Sequence, residues 1–374
     1  MVRVCSRCVI DDSIPGVVFD DRGVCNYCKL HDEMDVLYPV DKKLFYDLVS
    51  DIKKEGKGKD FDAVIGVSGG CDSSFLLDFL YGLGLRLLAV HMDNGWNTSI
   101  AVGNMHKMTR QLGIPLEIVK VDTRVFDSLC RSFLFASTPD ADIPNDLALL
   151  EVVNQVALDN DIKYVVNGHS FRTEGSAPLG WTYMDGGYLE NVNSCFENVD
   201  ITGFPYFSWD KQMEFWDHGI KIVRPLYYIP YNKKDVIEYL VNNYRWVWYK
   251  GLHAENIYTK FVGNYLWVKK FGIDYRKIEF SALVRSGFKN RDDAIVELES
   301  EKTFDLDYFN SICGRLGLSY SDIERIMGLP VKSFRDYKNY LSRFRSKQFR
   351  GMFDVLLKEN KIPFTFYKKY VLGV

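Results

Sequence analysis

The stretch Phe61 to Phe75, FDAVIGVSGGCDSSF, restricts this chain more than any other. Ala63-Val64-Ile65-Gly66-Val67 is a short apolar run, rich in β-branched residues and without a polar face, as in a parallel strand buried on both sides. It runs into Ser68-Gly69-Gly70-Cys71-Asp72-Ser73, then into Phe75-Leu76-Leu77-Asp78-Phe79-Leu80, apolar enough for a packed helix. A strand, a glycine pair and a helix start together build an anion site. The glycines let backbone N–H groups turn inward, and the helix N-terminus adds partial positive charge. Ser68 and Ser73 can add hydroxyl donors, and Asp72 suits a metal ion that bridges phosphates. No Gly-Lys-Ser/Thr follows the glycines, so this is not the Walker loop. The bland alternative is a Gly-Gly turn capped by Asp72, and the strand before it and the helix after it argue against that.

The 374 residues suffice for two domains, or for one large α/β domain with an appendage. With 47% hydrophobic and 26% charged residues there is ample material for a core. A net charge of −3 gives no argument for a nucleic-acid partner, which usually shows as a basic excess. No stretch reaches the roughly 18 apolar residues of a membrane span. The start, Met-Val-Arg-Val-Cys, lacks the apolar core of a signal peptide, so the expected location is cytoplasmic.

Four of the eight cysteines, Cys71, Cys130, Cys195 and Cys313, are scattered and read as buried reduced thiols. The others form Cys5-x2-Cys8, sixteen residues, then Cys25-x2-Cys28, a spacing that suits a four-cysteine zinc site. Each pair lets two thiolates converge on a tetrahedral ion, and Pro15-Gly16 and Arg22-Gly23 supply turns. Four sulfurs leave no open coordination position, so such a zinc is structural. Disulfides and an iron–sulfur cluster are the alternatives. His31 reads as a helix-surface residue rather than a fifth ligand.

Leu44, Phe45, Leu48, Val49 and Ile52 mark an amphipathic helix, and Glu55 to Lys59 a flexible joint. Further strands are expected at 86–92, 116–121, 164–168 and 220–224, with helices at about 98–112, 145–160 and 208–218. This alternation predicts an α/β fold with a doubly wound parallel sheet, whose ligands sit beyond the C-terminal strand ends. Polar clusters stand at those ends: Asp93-Asn94-Gly95, Asp122-Thr123-Arg124, Gly168-His169-Ser170 and Arg224-Pro225. Thr138 to Asp146 is either a loop with an Asn145 N-cap or a set of carboxylates over the ligand. The glycine-rich, irregular stretch Phe171–Asp200 is long enough for a lid. Past Asp235 helices dominate. Within that region, Arg245 to Lys250 and His253 to Phe261 are aromatic-dense, a composition more often core than ligand platform. The expected divisions are a zinc-knuckle segment and helix at 1–55, a nucleotide domain at 60–235 and a helical region at 236–374.

The motif at 68–74, SGGCDSS, resembles the SGGxDS loop of the ATP pyrophosphatase (PP-loop) superfamily, whose members cleave ATP between the α and β phosphates. With the N-terminal knuckles, Asp93-Asn94-Gly95-Trp96-Asn97, Tyr258-Thr259-Lys260-Phe261 and Lys270-Phe271-Gly272-Ile273-Asp274, the chain up to about residue 300 resembles the N-acetyl sugar amidotransferases. These act in bacterial surface-polysaccharide pathways, lipopolysaccharide O-antigen and nonulosonic-acid synthesis among them. The resemblance implies conversion of an acetamido group on a nucleotide-activated sugar to an acetamidino group, with ATP and Mg2+. Ammonia would come from a separate glutaminase subunit of the histidine-biosynthesis type, alone or with a cyclase-like subunit. It further implies that Ser68, Gly69, Gly70, Asp72, Ser73 and Ser74 hold pyrophosphate and magnesium. Met92, Asp93, Asn94 and Gly168 would read the nucleotide, while His169, Arg224 and Lys260 would contact phosphate or sugar. Asp72, Ser73, His169 and Lys260 are the catalytic candidates.

An amide oxygen is a poor leaving group, and transferring AMP to it activates the carbon for attack by ammonia. The protein's tasks are then phosphate positioning and charge stabilisation. Two other readings compete. A tRNA-thiolating PP-loop enzyme would need a catalytic cysteine near the loop, Cys130 or Cys195, and a basic surface. The other is a non-catalytic ATP-binding module.

Overall fold

Five strands lie in one parallel sheet of order β3-β2-β1-β4-β5: β1 Ala63–Gly66, β2 Leu87–Asp93, β3 Leu116–Lys120, β4 Tyr164–Val166 and β5 Lys221–Val223. The computed structural model describes residues 2–176, 180–249, 254–302 and 304–373; Lys250 and His253 of the aromatic-dense segments lie outside these. Helices α1 (Asn26–Leu37) and α2 (Lys42–Glu55) precede the sheet, and α3 (Cys71–Gly82), α4 (Ser99–Leu112), α5 (Thr123–Ala136), α6 (Ile143–Asp159), α7 (Gly186–Cys195) and α8 (Trp209–Asp217) run between its strands. After β5 come α9 (Lys233–Tyr244), α10 (Ile257–Phe261), a wide-turned stretch Val262–Phe271, α11 (Arg276–Arg285), α12 (Arg291–Leu298), α13 (Leu306–Arg315), α14 (Tyr320–Gly328), α15 (Leu341–Phe344), α16 (Lys347–Lys358) and α17 (Phe364–Phe366).

The central strands β1, β2 and β4 read as nearly continuous apolar runs because both their faces are covered. Val64, Leu88, Val90 and Val165 point into one core with α5, α6 and the C-terminal helices. Ala63, Ile65, Leu87, Ala89, Tyr164 and Val166 point into the other, with α2, α3, α4 and α9. This is the doubly wound sheet expected. The edge strand β3 exposes Glu117, Ile118 and Lys120, its two charges guarding the open side. The chain steps outward from β1 to β3, then returns to pair β4 with the other side of β1. That reversal opens a crevice beyond the C-terminal ends of β1 and β4, where ligands of such sheets bind.

Several local expectations are corrected. Asp122-Thr123-Arg124 is not a loose polar cluster: Asp122 accepts from Arg124 N (2.9 Å) as the N-cap of α5, a helix that buries Phe126, Leu129, Cys130, Phe133 and Leu134. Helix α6 starts at Ile143, so Asn145 is no N-cap; its amide turns inward to Asn94. The 171–200 stretch contains α7, capped by Asp185 through Tyr188 N (2.6 Å). Gly186 and Gly187 are there for close packing, because a Cβ at either would collide with Ser208 or the Tyr340 ring. Of the scattered cysteines, Cys71 and Cys130 are buried but Cys195 is exposed and Cys313 half-buried, all reduced. His31 is buried against the Phe171 ring, not on the helix surface, and burial lowers its pKa to about 3. No described helix is long and apolar enough to cross a membrane.

Candidate active site

The loop after β1 is shaped by two glycines and one buried histidine. Gly69 takes φ +79°, in the left-handed region, and a Cβ there would run into the Ala101 carbonyl. Ser68 Oγ accepts from Gly70 N (3.2 Å), and Ser68 N donates to Ser73 Oγ (3.4 Å), so the two serines close the loop on itself. The buried Ser74 sits in the first turn of α3, its N–H donating to Gly70 O (3.1 Å). The His91 ring, buried in β2, contacts the Val67 carbonyl through Nδ1 (2.8 Å), while Asn97 reaches Nε2 (3.3 Å). A carbonyl can only accept, so His91 carries its proton on Nδ1. Burial lowers its pKa and keeps the ring neutral.

Asp72 leaves the first turn of α3 and meets side chains from distant segments. The Tyr231 hydroxyl donates to its Oδ1, and Lys233 Nζ to its Oδ2 at 3.1 Å. The same ammonium lies 3.7 Å from Glu174. Two carboxylates therefore share one cation next to the glycines. The paired carboxylates raise the Lys233 pKa against the opposing effect of its burial, so it stays charged. The position that Lys233 spans has the donor chemistry of a divalent-cation site: two hard carboxylates from different segments, next to phosphate-binding backbone.

The other strand ends converge on the same crevice. Gly168 packs on α3, where a Cβ would stand 3.5 Å from that of Asp72. His169 Nδ1 lies 3.1 Å from the Tyr227 hydroxyl, and the Arg224 guanidinium stands over the Tyr227 ring at 6.0 Å, so these two predicted residues meet on one tyrosine. After β2, Asp93 accepts from Gly95 N (3.0 Å). The buried Asn94 donates to Asn145 (2.9 Å) and accepts from Trp96 N (3.0 Å) and Asn256 (3.4 Å). Met92 is buried, its carbonyl 3.5 Å from the Asn97 amide. Arg315, at the end of α13, donates to Asn94 O (2.9 Å) and Asp127 (2.9 Å) and stacks 3.8 Å over Trp96. Lys260 directs its ammonium over the Tyr308 ring at 5.0 Å, and no hydrogen bond or ion pair to the loop is described for it.

The helical region adds what sequence reasoning missed. Thr98 N donates to Glu255 O (2.8 Å) and Ile257 N to Trp96 O (2.9 Å), so residues 255–257 lie alongside the turn beyond β2. That holds Glu255 near the loop, its carboxylate accepting from the Tyr249 hydroxyl (3.1 Å). A Cβ on Gly70 would stand 3.1 Å from that hydroxyl and 3.6 Å from Glu255 Oε1. Neighbouring Trp246 is buried core, so the aromatic-dense segment divides between core and site. Tyr231, Lys233 and Glu174 carried one weak signal, charged or phenolic groups beside turn residues after a strand, and Glu255 carried none. His91 carried a better one, as an imidazole inside an apolar strand.

The four N-terminal cysteines form a separate buried cluster. Their sulfurs stand 3.6 Å (Cys25–Cys28), 3.7 Å (Cys8–Cys25) and 3.9 Å (Cys5–Cys28) apart, and all lie within 4.8 Å of one another. A regular tetrahedron with Zn–S bonds of about 2.3 Å has edges of about 3.8 Å, so the donor set fits one zinc ion. The separations are too long for disulfides, whose sulfurs lie about 2.05 Å apart. Backbone N–H groups of Arg7 (3.4 Å) and Cys25 (3.3 Å) point at Cys5 Sγ. Cys8 is lowered to about 6, chiefly by its hydrogen bonds with Cys25 and Cys28.

Comparisons with known proteins bear on the C-terminal part most directly. Residues 255–350 match the family model described as LPS biosynthesis protein WbpG-like, C-terminal domain, in agreement with the family resemblance read from the sequence. No curated protein matches. Among solved structures, the chain is similar to an NH3-dependent NAD synthetase from Campylobacter jejuni (17% identity, 47% of this chain and 83% of that one, TM-score 0.27). It is also similar to the NMN synthetase of Francisella tularensis (13%, 78% and 97%, TM-score 0.36). A third is a predicted subunit of tRNA methyltransferase from Methanocaldococcus jannaschii (14%, 57% and 90%, TM-score 0.32).

Proposed function

Starting from a chain that joins an SGGxDS loop to a WbpG-like C-terminal domain, we propose that this protein is an ATP-dependent amidotransferase of bacterial surface-glycan synthesis. It converts an acetamido group of a nucleotide-activated sugar to an acetamidino group, forming AMP and pyrophosphate. The observation that carries the reading is one juxtaposition: Glu255, the first residue of the WbpG-like segment, lies against Gly70 of the phosphate-type loop.

The loop backbone, Ser68 and Ser73 receive the pyrophosphate end of ATP, and Lys233 neutralises charge there. Asp72 and Glu174 would hold Mg2+, which supplies charge neutralisation on the phosphates. The amide oxygen of the sugar attacks the α-phosphorus and pyrophosphate leaves. Ammonia then adds to the activated carbon, loses protons, and AMP departs carrying the former amide oxygen. The chain's own groups position and screen charge, and none needs to form a covalent bond. His169 and Arg224, gathered on Tyr227, are placed for the sugar or its phosphates. A single zinc in the cysteine cluster is structural.

Ammonia is supplied by a separate glutaminase subunit. A glutaminase needs an activated cysteine with a histidine base, and the cysteine nearest the loop, Cys71, is buried with its thiol pushed up to about 12, burial being the main cause. The buried Cys130 thiol is pushed up in the same way. The same two facts weigh against thiolation chemistry at this loop.

The test incubates the chain with ATP, Mg2+ and a panel of nucleotide-activated N-acetyl sugars, with ammonium chloride or glutamine. AMP, pyrophosphate and a product bearing NH in place of the amide oxygen are expected with ammonium, and none with Asp72→Ala. Absence of AMP across the panel overturns the amidotransferase reading, and efficient product from glutamine alone overturns the partner.

A further inference from the structure

Helix α11 grips the cysteine cluster from the far end of the chain. Arg285 donates from Nε to Cys28 Sγ (3.3 Å) and from a terminal nitrogen to Cys8 Sγ (3.4 Å). Arg291, the first residue of α12, donates to the carbonyls of Cys8 (3.1 Å) and Cys5 (2.9 Å). Ser281 Oγ accepts from Val9 N (3.2 Å), and Lys277 pairs with Asp11 at 2.5 Å. Among the described residues no carboxylate lies within ion-pair distance of Arg285, although ion pairs surround most of its neighbours. A guanidinium partly withdrawn from water without an opposite charge is costly. Among the described residues, the groups within hydrogen-bond distance of its guanidinium that can carry negative charge are the cysteine sulfurs, and these do so only as thiolates, the form in which they ligate a metal.

We propose that Arg285 is the charge-compensating and positioning residue of the four-cysteine centre, so that metal retention and the docking of α11 on the N-terminal segment are one event. The proposal rests on the reading of that centre as a zinc site. Four thiolates around a divalent ion leave a net charge of −2, and Arg285 reduces it while its two N–H groups fix the orientation of two sulfurs. The coupling extends to the crevice. Ile278 of α11 lies so close under Gly175 that a Cβ there would collide, and Ser286 Oγ donates to Arg172 O (2.9 Å). Arg172 is held from the other side by Asp35 (2.6 Å) and Tyr38 O (2.8 Å). The segment that carries Glu174 to Lys233 is thus clamped between α1 and α11, the two elements that the metal centre joins.

The experiment uses the full chain as wild type, Arg285→Met, Arg285→Lys and Arg291→Ala. Zinc is counted per chain, its release to a chromogenic chelator is timed, and the protein reconstituted with Co2+ gives a sulfur-to-metal charge-transfer spectrum. Wild type should hold one zinc. Arg285→Met should lose about 10–100-fold in affinity, the usual effect of removing a group that hydrogen-bonds a metal ligand. Its Co2+ bands should move to lower energy, because unprotected thiolates donate more readily. Arg285→Lys should fall between, and Arg291→Ala, which frees carbonyls but leaves the sulfurs paired, should keep the wild-type spectrum. If Arg285→Met does not fold, Arg285→Gln replaces it, retaining donors but not charge, with faster release expected. Release and spectra equal to wild type in the Arg285 variant overturn the proposal, as does a spectrum moved equally by Arg291→Ala. A wild-type chain that binds neither zinc nor Co2+ overturns the zinc reading itself.

Discussion

Replacing Lys233 by Met should turn the stability of the protein into a function of magnesium. In the structure the ammonium is 3.1 Å from Asp72 and 3.7 Å from Glu174, and the side chains are 21%, 18% and 8% exposed. Removing the cation leaves two largely buried carboxylates facing each other, and breaking such an arrangement costs about 3–5 kcal/mol. Unfolding entropy of about 2.1 cal/mol/K per residue gives about 0.8 kcal/mol/K for a chain of 374 residues, so Tm should fall by about 4–6 °C. A divalent ion can take the vacated place. At ten times its dissociation constant it returns about 1.4 kcal/mol, or about 2 °C. Differential scanning fluorimetry of wild type and Lys233→Met, without ATP and over a MgCl2 titration, reads both effects. Wild type, whose carboxylates are already neutralised, should show little response. An unchanged Tm in the variant would refute the shared-cation argument, and a fall that magnesium does not partly reverse would refute the cation site.

Two further perturbations separate backbone from side-chain causes. Gly69→Ala should cost about 2–4 kcal/mol, combining left-handed strain with a collision against the Ala101 carbonyl, whereas Gly113→Ala, at φ +66° with open space around it, should cost only about 1 kcal/mol. Equal urea midpoints for the two variants would refute the close-approach argument. The second concerns pH. Asp140 is buried, and burial pushes its carboxyl up to about 7, against the downward pull of Tyr183 N–H, the Tyr188 hydroxyl and Lys369. Its folded pKa exceeds the ordinary 3.8, so the folded chain keeps a proton that the unfolded chain releases. That contribution is complete below about pH 4 and is lost as pH rises to about 7. Asp140→Asn should therefore gain stability relative to wild type as pH rises from about 4 to about 7, and a pH-independent difference in urea midpoint would contradict it.

What the sequence determined by itself was everything carried by short spacing. Strands β1, β2 and β4 announced themselves as apolar runs, because both faces of the sheet's centre need apolar side chains, and the edge strands β3 and β5 as alternating ones. The SGGCDSS turn and the two C-x2-C pairs were legible for the same reason, their chemistry residing in neighbours along the chain. Where local signals competed, reading failed: Asp122 and Arg124 looked like a polar strand end but begin α5, and Gly186-Gly187 looked like a loop but pack beneath Ser208 and Tyr340. The tertiary structure alone decided the company each motif keeps. Lys233 reaches Asp72 across 161 residues, and Arg285 reaches Cys28 across 257. Neither pairing leaves a trace in local periodicity, which records only the face a residue turns to its own element. Such contacts depend on the sheet order that brings β1 beside β4 and on the packing of α11 over the knuckle. They are set by the burial of whole elements, and a charged side chain acquires its partner only after that packing is complete.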